Sequence, residues 1–529
     1  MRPKTIQLLL AGLIPTAQAQ SCPDYSSYAQ ARHEPFSSGK HALSSARPAP
    51  ACRTFNSTTV ESLLTNTSAA IADPDLARLF TNTYPNTLDT AIRWRGRSST
   101  NPDEELAFLI TGDIDAMWLR DSANQLQSYL AVLEPDATSP SNSTKPAPEN
   151  TIASLFRGVI NLQARYLVTA PFCNAFQPPP ESGLAPAANP AAASDSVFPP
   201  YDAAKVFECK YELDSLAAFL QLSADYFEAT HDAAFFGRFS WLRAVRAVLD
   251  TAGAMTAGTY GPGGEVVGSA YVFTRLTTRA TETLVNDGAG SPVRETGMVR
   301  SAFRPSDDAT TFQFLVPANM MFARYLASAS LIVEGLGDKA PQGLAEEMVA
   351  FSARIREGVT KYGIVPVVGG NGSVETVYAY EVDGFGSAAL MDDANVPSLL
   401  AAPVFGYLAN TDPVYQRTRR GLLSPEGNPY FMKGSAINGI GGPHVGPGMA
   451  WPMASIVRIL TSEDDDEIVK VLRELLSSTD GLGLMHESVN SNNPSQWTRQ
   501  WFSWANGLFG QMILDLHFRK PHILRQSFQ

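Results

Sequence analysis

Apolar side chains recur three and four positions apart along most of this chain, the spacing that lines one face of an α-helix. The repeat predicts helices over 116–132, 152–167, 211–229, 234–252, 311–333, 343–362, 396–408, 451–460, 465–476 and 501–518. Strand-like alternation is scarce and is clearest in 364–368 and 374–381. These two runs flank Gly369-Gly370-Asn371-Gly372, a turn-forming sequence, and predict one hairpin. The fold class expected is all-α with a minor β-hairpin.

Polar, Gly-containing or carboxylate-rich motifs fall just before or at the start of every second predicted helix, around Asp113, Asp214, Asp307, Asp392, His444 and Glu487. Paired helices closed into a ring, inner alternating with outer, would bring all of these starts to one end and line one pit. That is an (α/α)6 toroid, a six-hairpin barrel. An irregular helical array with Asp and Ser as N-caps would explain many of the carboxylates without chemistry, but not the tryptophans and glycines beside them. Residues 134–151, rich in Pro, Ser and Asn, and 177–200, rich in Pro and Ala, read as surface insertions. No linker separates two folded units, so residues 21–529 are expected to form a single catalytic domain.

The first twenty residues combine Arg2 and Lys4, an apolar run from Leu8 to Ile14 and the small-residue sequence Ala17-Gln18-Ala19, a signal-peptide pattern. No later segment approaches the roughly 20 uninterrupted apolar residues of a membrane-spanning helix. Sequons begin at Asn56, Asn66, Asn142 and Asn371, in keeping with a glycoprotein of the secretory route, released or wall-associated. Cys22, Cys52, Cys173 and Cys209 are an even set for an oxidising compartment. Neighbour pairing is the simplest of their three connectivities and would stabilise by about 3–4 kcal/mol per loop. With 40 basic and 52 acidic residues, net charge −12 and no Lys/Arg cluster, attraction to nucleic acid or anionic lipid is disfavoured. A neutral ligand, no cofactor, no metal and a monomeric state are expected; neither CxxC nor HExxH spacing occurs.

Six motifs carry candidate chemistry. Asp113, Asp115, Trp118, Arg120 and Asp121 lie within nine residues, with Gln125 one turn further. Carboxylates and Arg hydrogen-bond vicinal hydroxyls while an aromatic face covers the apolar side of a sugar, although a capped helix start with an Arg120–Asp121 ion pair would look the same. Glu212 and Asp214 sit on a helix otherwise apolar on one face, where acidic residues need no function. Asp307 and Asp308 follow Arg304-Pro305-Ser306; adjacent carboxylates in a dry pocket raise one pKa toward the range a general acid requires, yet Pro and Ser before Asp also begin ordinary helices. Asp392-Asp393 repeats the double acid, and only one acid and one base are needed. Residues 439–452, dense in Gly and Pro around His444, make a loop whose backbone can approach a ligand closely. Glu487 is followed by Trp497, Arg499, Trp501 and Trp504, read as a pit wall.

At these positions the chain resembles glycoside hydrolase family 125, the exo-α-1,6-mannosidases, in a fungal secreted form. The resemblance spans most of the mature chain. It rests on Gly112-Asp113-Ile114 with Ala116-Met117-Trp118-Leu119-Arg120-Asp121-Ser122, on Arg304-Pro305-Ser306-Asp307-Asp308-Ala309, on Pro317-Ala318-Asn319-Met320, and on His486-Glu487-Ser488 with Trp501-Phe502-Ser503-Trp504-Ala505-Asn506. It implies an α/α toroid, metal-independent hydrolysis of non-reducing-end α-1,6-mannose in an oligosaccharide or glycan, and inversion at the anomeric carbon. It places the general acid at Asp307 or Asp308 and the general base at Glu487. Asp113, Trp118, Arg120, Asp121, Asp214, His444, Arg499 and Trp501 are then the residues expected to bind the sugar. The competing readings are an inverting hydrolase of α-glucosides on the same toroid, and a mannan-binding wall protein without turnover.

Overall fold

The computed structural model describes residues 22–134, 151–368 and 372–529. The signal-peptide pattern, nearly all of the 134–151 insertion, the first three turn residues of the hairpin and the sequons at Asn142 and Asn371 lie outside them.

The longer helices are α1 (Thr58–Ala69), α2 (Pro74–Thr83), α3 (Leu119–Gln127), α4 (Ile152–Thr169), α5 (Leu213–Thr230), α6 (Trp241–Ala254), α7 (Val316–Leu336), α8 (Leu344–Gly358), α9 (Pro413–Leu422), α10 (Pro452–Leu460), α11 (Asp465–Ser477) and α12 (Ser503–Arg519). Helix α3 packs on α5, α5 on α7, and α12 on both α3 and α10, while α4, α8, α11 and α2 back their neighbours. One apolar cluster runs through all of them, from Ala29 to Phe528. Helix α7 with the turn after it, Val316–Lys339, is long and apolar enough on average to cross a membrane, although Asn319, Arg324 and Glu334 interrupt its apolar run. It is 78% buried inside the fold, so its hydrophobicity is that of a core helix packed between α5 and α8.

Short strands precede these helices and tie their starts together. Met117–Trp118 pairs with Ala175–Phe176, which pairs with Val206–Glu208. Phe314–Leu315 pairs with Glu381–Val382, and Met449–Ala450 with Ser488–Asn490, itself paired with Asn493–Thr498. The expected hairpin is present as Ile364–Val368 against Val374–Tyr378, its second strand ending before Glu381 because 381–382 serves the Phe314–Leu315 sheet instead. The 177–200 segment stays outside the core but is not featureless: Asp195–Phe198 pairs with Val272–Arg275. Cys22 bonds Cys52 and Cys173 bonds Cys209, the neighbour pairing.

The helix expected over 396–408 is absent; the segment is a run of turns. Asp392 takes the backbone N–H of Leu399 and of Leu400 at 2.9 Å each, Ser398 takes that of Ala401, and Pro403 cannot donate within a helix. The apolar repeat still reports burial, because Leu399, Leu400, Ala401, Ala402 and Phe405 all enter the core. Three of the longer helices escape the periodicity: α1, α2 and α9. Their caps were legible, since Ser57 accepts from Val60, Asp73 from Asp75 and Leu76, and Asp412 from Tyr415, the last two followed by Pro at the first helical position. The 234–252 helix is split at Gly237 into one turn, Ala233–Phe236, and α6.

Helix α12 approaches the end of α2 so closely that a Cβ at Gly510 would lie 2.7 Å from Cα of Tyr84. Gly510→Ala is expected to lower the unfolding free energy by about 1–3 kcal/mol through overpacking. Gly253→Ala in α6, where a Cβ meets nothing within 4 Å, should leave stability unchanged or slightly raised. Urea denaturation of both variants checks the contrast.

Candidate active site

The helix starts surround a cavity whose lining includes Trp118, Arg120, Asp121, Asp307, His444, Glu487 and Arg499. Six segments far apart in sequence meet there. Gly112 makes the closest junction: at φ 127° it bridges to Phe502, and a Cβ on it would stand 2.2 Å from the Trp501 carbonyl oxygen. Only glycine lets the 111–113 strand lie this near 501–503, where Ser503 N donates to the Thr111 carbonyl at 3.0 Å.

Arg120 is the centre of one wall. Its Nη1 donates to Glu212 Oε2 at 2.6 Å and to Asp214 Oδ2 at 3.1 Å, while Nη2 lies 3.4 Å from Asp121 Oδ2 and 3.6 Å from Asp307 Oδ1. Asn174 Nδ2 reaches Glu212 Oε1 at 3.2 Å and Asp307 Oδ1 at 3.5 Å, and Lys210 Nζ donates to the Asp307 carbonyl at 2.9 Å. Burial pushes the Glu212 carboxyl well above the carboxylate range, Arg120 opposing and Asp307 adding to it. Burial acts on Asp307 in the same direction, but Lys210 and Arg120 outweigh it and hold that carboxyl below its ordinary value. Asp121 is pushed up to about 6, by burial first, against Arg120.

Asp307 and Asp308 are adjacent but face different ways. Asp307 has φ 66°, and its side chain, 26% exposed, opens into the cavity; that of Asp308 is 1% exposed and is placed behind, with Oδ2 3.3 Å from His444 Nδ1. The segment carrying them is clamped. Arg304 Nε donates to Glu381 Oε1 at 2.6 Å, Glu381 Oε2 takes the backbone N–H of Thr311 and Phe312, and Ser306 Oγ donates to Asp393 Oδ2 at 2.6 Å. Burial alone would lower His444, yet Asp308, Glu487 and Asp307 raise it to about 9, so the ring is cationic at neutral pH.

Glu487 stands on another wall. Thr498 Oγ1 donates to its Oε2 at 3.0 Å and Arg499 Nη1 to its Oε1 at 3.5 Å. Arg499 also binds Asp113 Oδ1 at 2.6 Å and Thr111 Oγ1 at 3.0 Å, so one guanidinium joins the Asp113 motif to the Glu487 motif. His486 points away: stacked on Trp497 at 4.3 Å, its ring is pushed down to about 4 by burial.

The lining differs from the expected set in four places. Asp214 is fully buried behind Arg120 and does not line the cavity. Asp113 and Trp501 line a second cavity against the N-terminal segment; the Trp501 indole donates to Asn86 Oδ1 at 3.2 Å and meets Tyr25 edge-on. Asp308 is likewise behind the surface. Of the three tryptophans read as a wall, Trp504 lines the cavity, Trp501 does not, and Trp497 covers His486. Trp451 and Asn395 line it without having been singled out. Their signal was present in the Gly/Pro-rich run and the Asp392-Asp393 motif. The indole N–H groups of Trp118 and Trp451, two residues of the lining, are buried without a hydrogen-bond partner. Among the described residues, no three His, Cys, Asp or Glu side chains come together as a metal site.

The sequence matches the family described as metal-independent α-mannosidase, glycoside hydrolase family 125, over residues 73–514. It is 46% identical over 512 residues to the meiotically up-regulated gene 157 protein of Schizosaccharomyces pombe, covering 96% of this chain and 95% of that one. A Streptococcus pneumoniae metal-independent α-mannosidase, solved in a non-productive complex with α-1,6-mannobiose, superposes with a TM-score of 0.73 at 32% identity, covering 88% of this chain and all of that one. With motifs, fold and site in agreement, the chain belongs to glycoside hydrolase family 125 and is a metal-independent α-mannosidase.

Proposed function

We propose that this enzyme removes terminal α-1,6-linked mannose by inversion from a single active site on an (α/α)6 toroid. The observation that carries the reading is that Asp307 and Glu487, from motifs 180 positions apart, line one cavity with unlike surroundings. Successive contacts α10–α12–α3–α5–α7, with the 396–408 turns in the place of a further inner helix, support the ring. The α-1,6 linkage is supported by the ligand of the pneumococcal relative. Two disulfides support passage through an oxidising compartment.

Asp307 is the general acid and Glu487 the general base. The glycosidic oxygen takes a proton from Asp307 as its bond to the anomeric carbon breaks. On the opposite face Glu487 removes a proton from a water whose oxygen forms the new bond. Room for that water requires a gap of roughly 6.5–9.5 Å between the two carboxyls. Asp308 is unsuited to protonate substrate because it lies behind the surface; it acts instead on His444. Trp118, Arg120, Asp121, His444 and Arg499 hold the terminal mannose, while Asp113 orients Arg499 and Asp214 orients Arg120.

Proton NMR of α-1,6-mannobiose hydrolysis should show β-mannose first, with the α-anomer growing in by mutarotation. Early α-anomer would overturn inversion, and release from maltose but not mannobiose would overturn the substrate. Glu487→Gln is expected to lower kcat by about 10²–10⁴-fold or more with an unchanged melting temperature; a wild-type rate in that variant removes the base assignment.

A further inference from the structure

The wall opposite Glu487 carries more negative charge than its cations can balance. Asp121, Glu212, Asp214 and Asp307 all approach the one guanidinium of Arg120. The second cation, Lys210, is shared with Glu208 at 3.5 Å. Carboxylates crowded together away from water cannot all ionise, so this cluster retains a proton. The position of that proton follows from the contacts. Asp214 has its own bond from Arg120, and Asp121 stands on the far nitrogen. Glu212 and Asp307 are the two bridged by one amide, Asn174 Nδ2 lying 3.2 Å from Glu212 Oε1 and 3.5 Å from Asp307 Oδ1. Ser215 Oγ also donates to Glu212 Oε2 at 3.1 Å, so Glu212 is fixed, whereas Asp307 opens to the cavity.

We propose that Glu212 is a positioning residue that shares one proton with Asp307 and hands it to that side chain when the glycosidic bond is cleaved. The inference rests on Asp307 being the general acid. At rest the proton lies toward Glu212, because its side chain is fully buried while that of Asp307 is 26% exposed, so burial disfavours the Glu212 anion more. When a leaving oxygen approaches Asp307, the proton passes from Glu212 to Asp307 and on to that oxygen. The pair is then doubly ionised beside Arg120 and Lys210, while Glu487 holds the proton taken from water. Transfer of one proton from Glu487 to the pair through solvent in the open cavity restores the start, with no net gain or loss. The charged and titratable groups facing Glu212 are Arg120 from α3, Asp214 from the first turn of α5, Asp307, and Lys210 and Tyr271 from the segments around them.

The test is the pH profile of kcat/KM on α-1,6-mannobiose. In Glu212→Gln the shared proton has no second carboxyl to hold it, and Asp307 keeps Arg120, Lys210 and His444, so it ionises at lower pH. The alkaline limb should move down by at least about one pH unit. Lys210→Met removes a cation and should move the same limb upward, a pairing of opposite shifts that general loosening of the fold does not produce. Limbs that coincide with wild type in both variants overturn the proposal. Should Glu212→Gln fail to fold, an unmoved limb in Lys210→Met alone overturns it. Asp307→Asn, assayed alongside, separates the two levels. A wild-type rate there refutes the acid assignment itself, whereas an inactive Asp307→Asn with an unshifted Glu212→Gln refutes only the shared proton.

Discussion

The placement of one guanidinium inside the helix array governs the rest of the site. Arg120 leaves the first turn of α3 with its side chain 4% exposed and collects carboxylates from α3, from the start of α5 and from the 304–309 segment. A buried cation without partners would cost several kcal/mol, and so would any of these anions alone. Together they offset part of that cost, and removing Arg120 would leave four carboxylates without their shared cation. The cluster therefore specifies the positions of three separate segments at once. Arg499 repeats the device on the facing side, joining Asp113, Thr111 and Glu487.

Between the two guanidinium centres, the backbone stores strain where the chemistry needs it. Asp307 adopts a left-handed φ of 66° although it is not glycine, a conformation that persists only where its surroundings over-determine it. They do so here. Lys210 holds its carbonyl, Arg304 N donates to the Asp308 carbonyl at 2.7 Å, and the Arg304–Glu381 pair anchors the turn from below. The result is that consecutive carboxyls point to opposite sides, one into the cavity and one toward His444. Arg499, at φ 52°, is a second such residue and belongs to the same cavity.

The features legible from residues alone were those set by local chemistry. Helical spacing found most of the long helices, and turn residues found the hairpin. Cysteine parity pointed to two disulfides, and the simplest of the three connectivities is the one present. Where periodicity failed, at α1, α2 and α9, the Ser57, Asp73-Pro74 and Asp412-Pro413 caps were in plain view. Over 396–408 the apolar repeat predicted burial correctly but not conformation, because the side chain of Asp392, outside the repeat, satisfies the backbone groups a helix would have used.

The sequence by itself determined which residue types gather at the helix starts and, through separated motifs in fixed order, the family to which they belong. It could not determine which member of each motif faces the cavity. Asp307 or Asp308, Trp501 or Trp504, and Asp121 or Asp214 are equivalent by composition and spacing. Each choice depends on a backbone angle or a neighbouring strand supplied from far along the chain: the φ of Asp307, the contact of Gly112 with 501–503, and the reach of Arg120 to α5. The direction in which a side chain points is a property of packing between distant segments, and only the tertiary structure contains it.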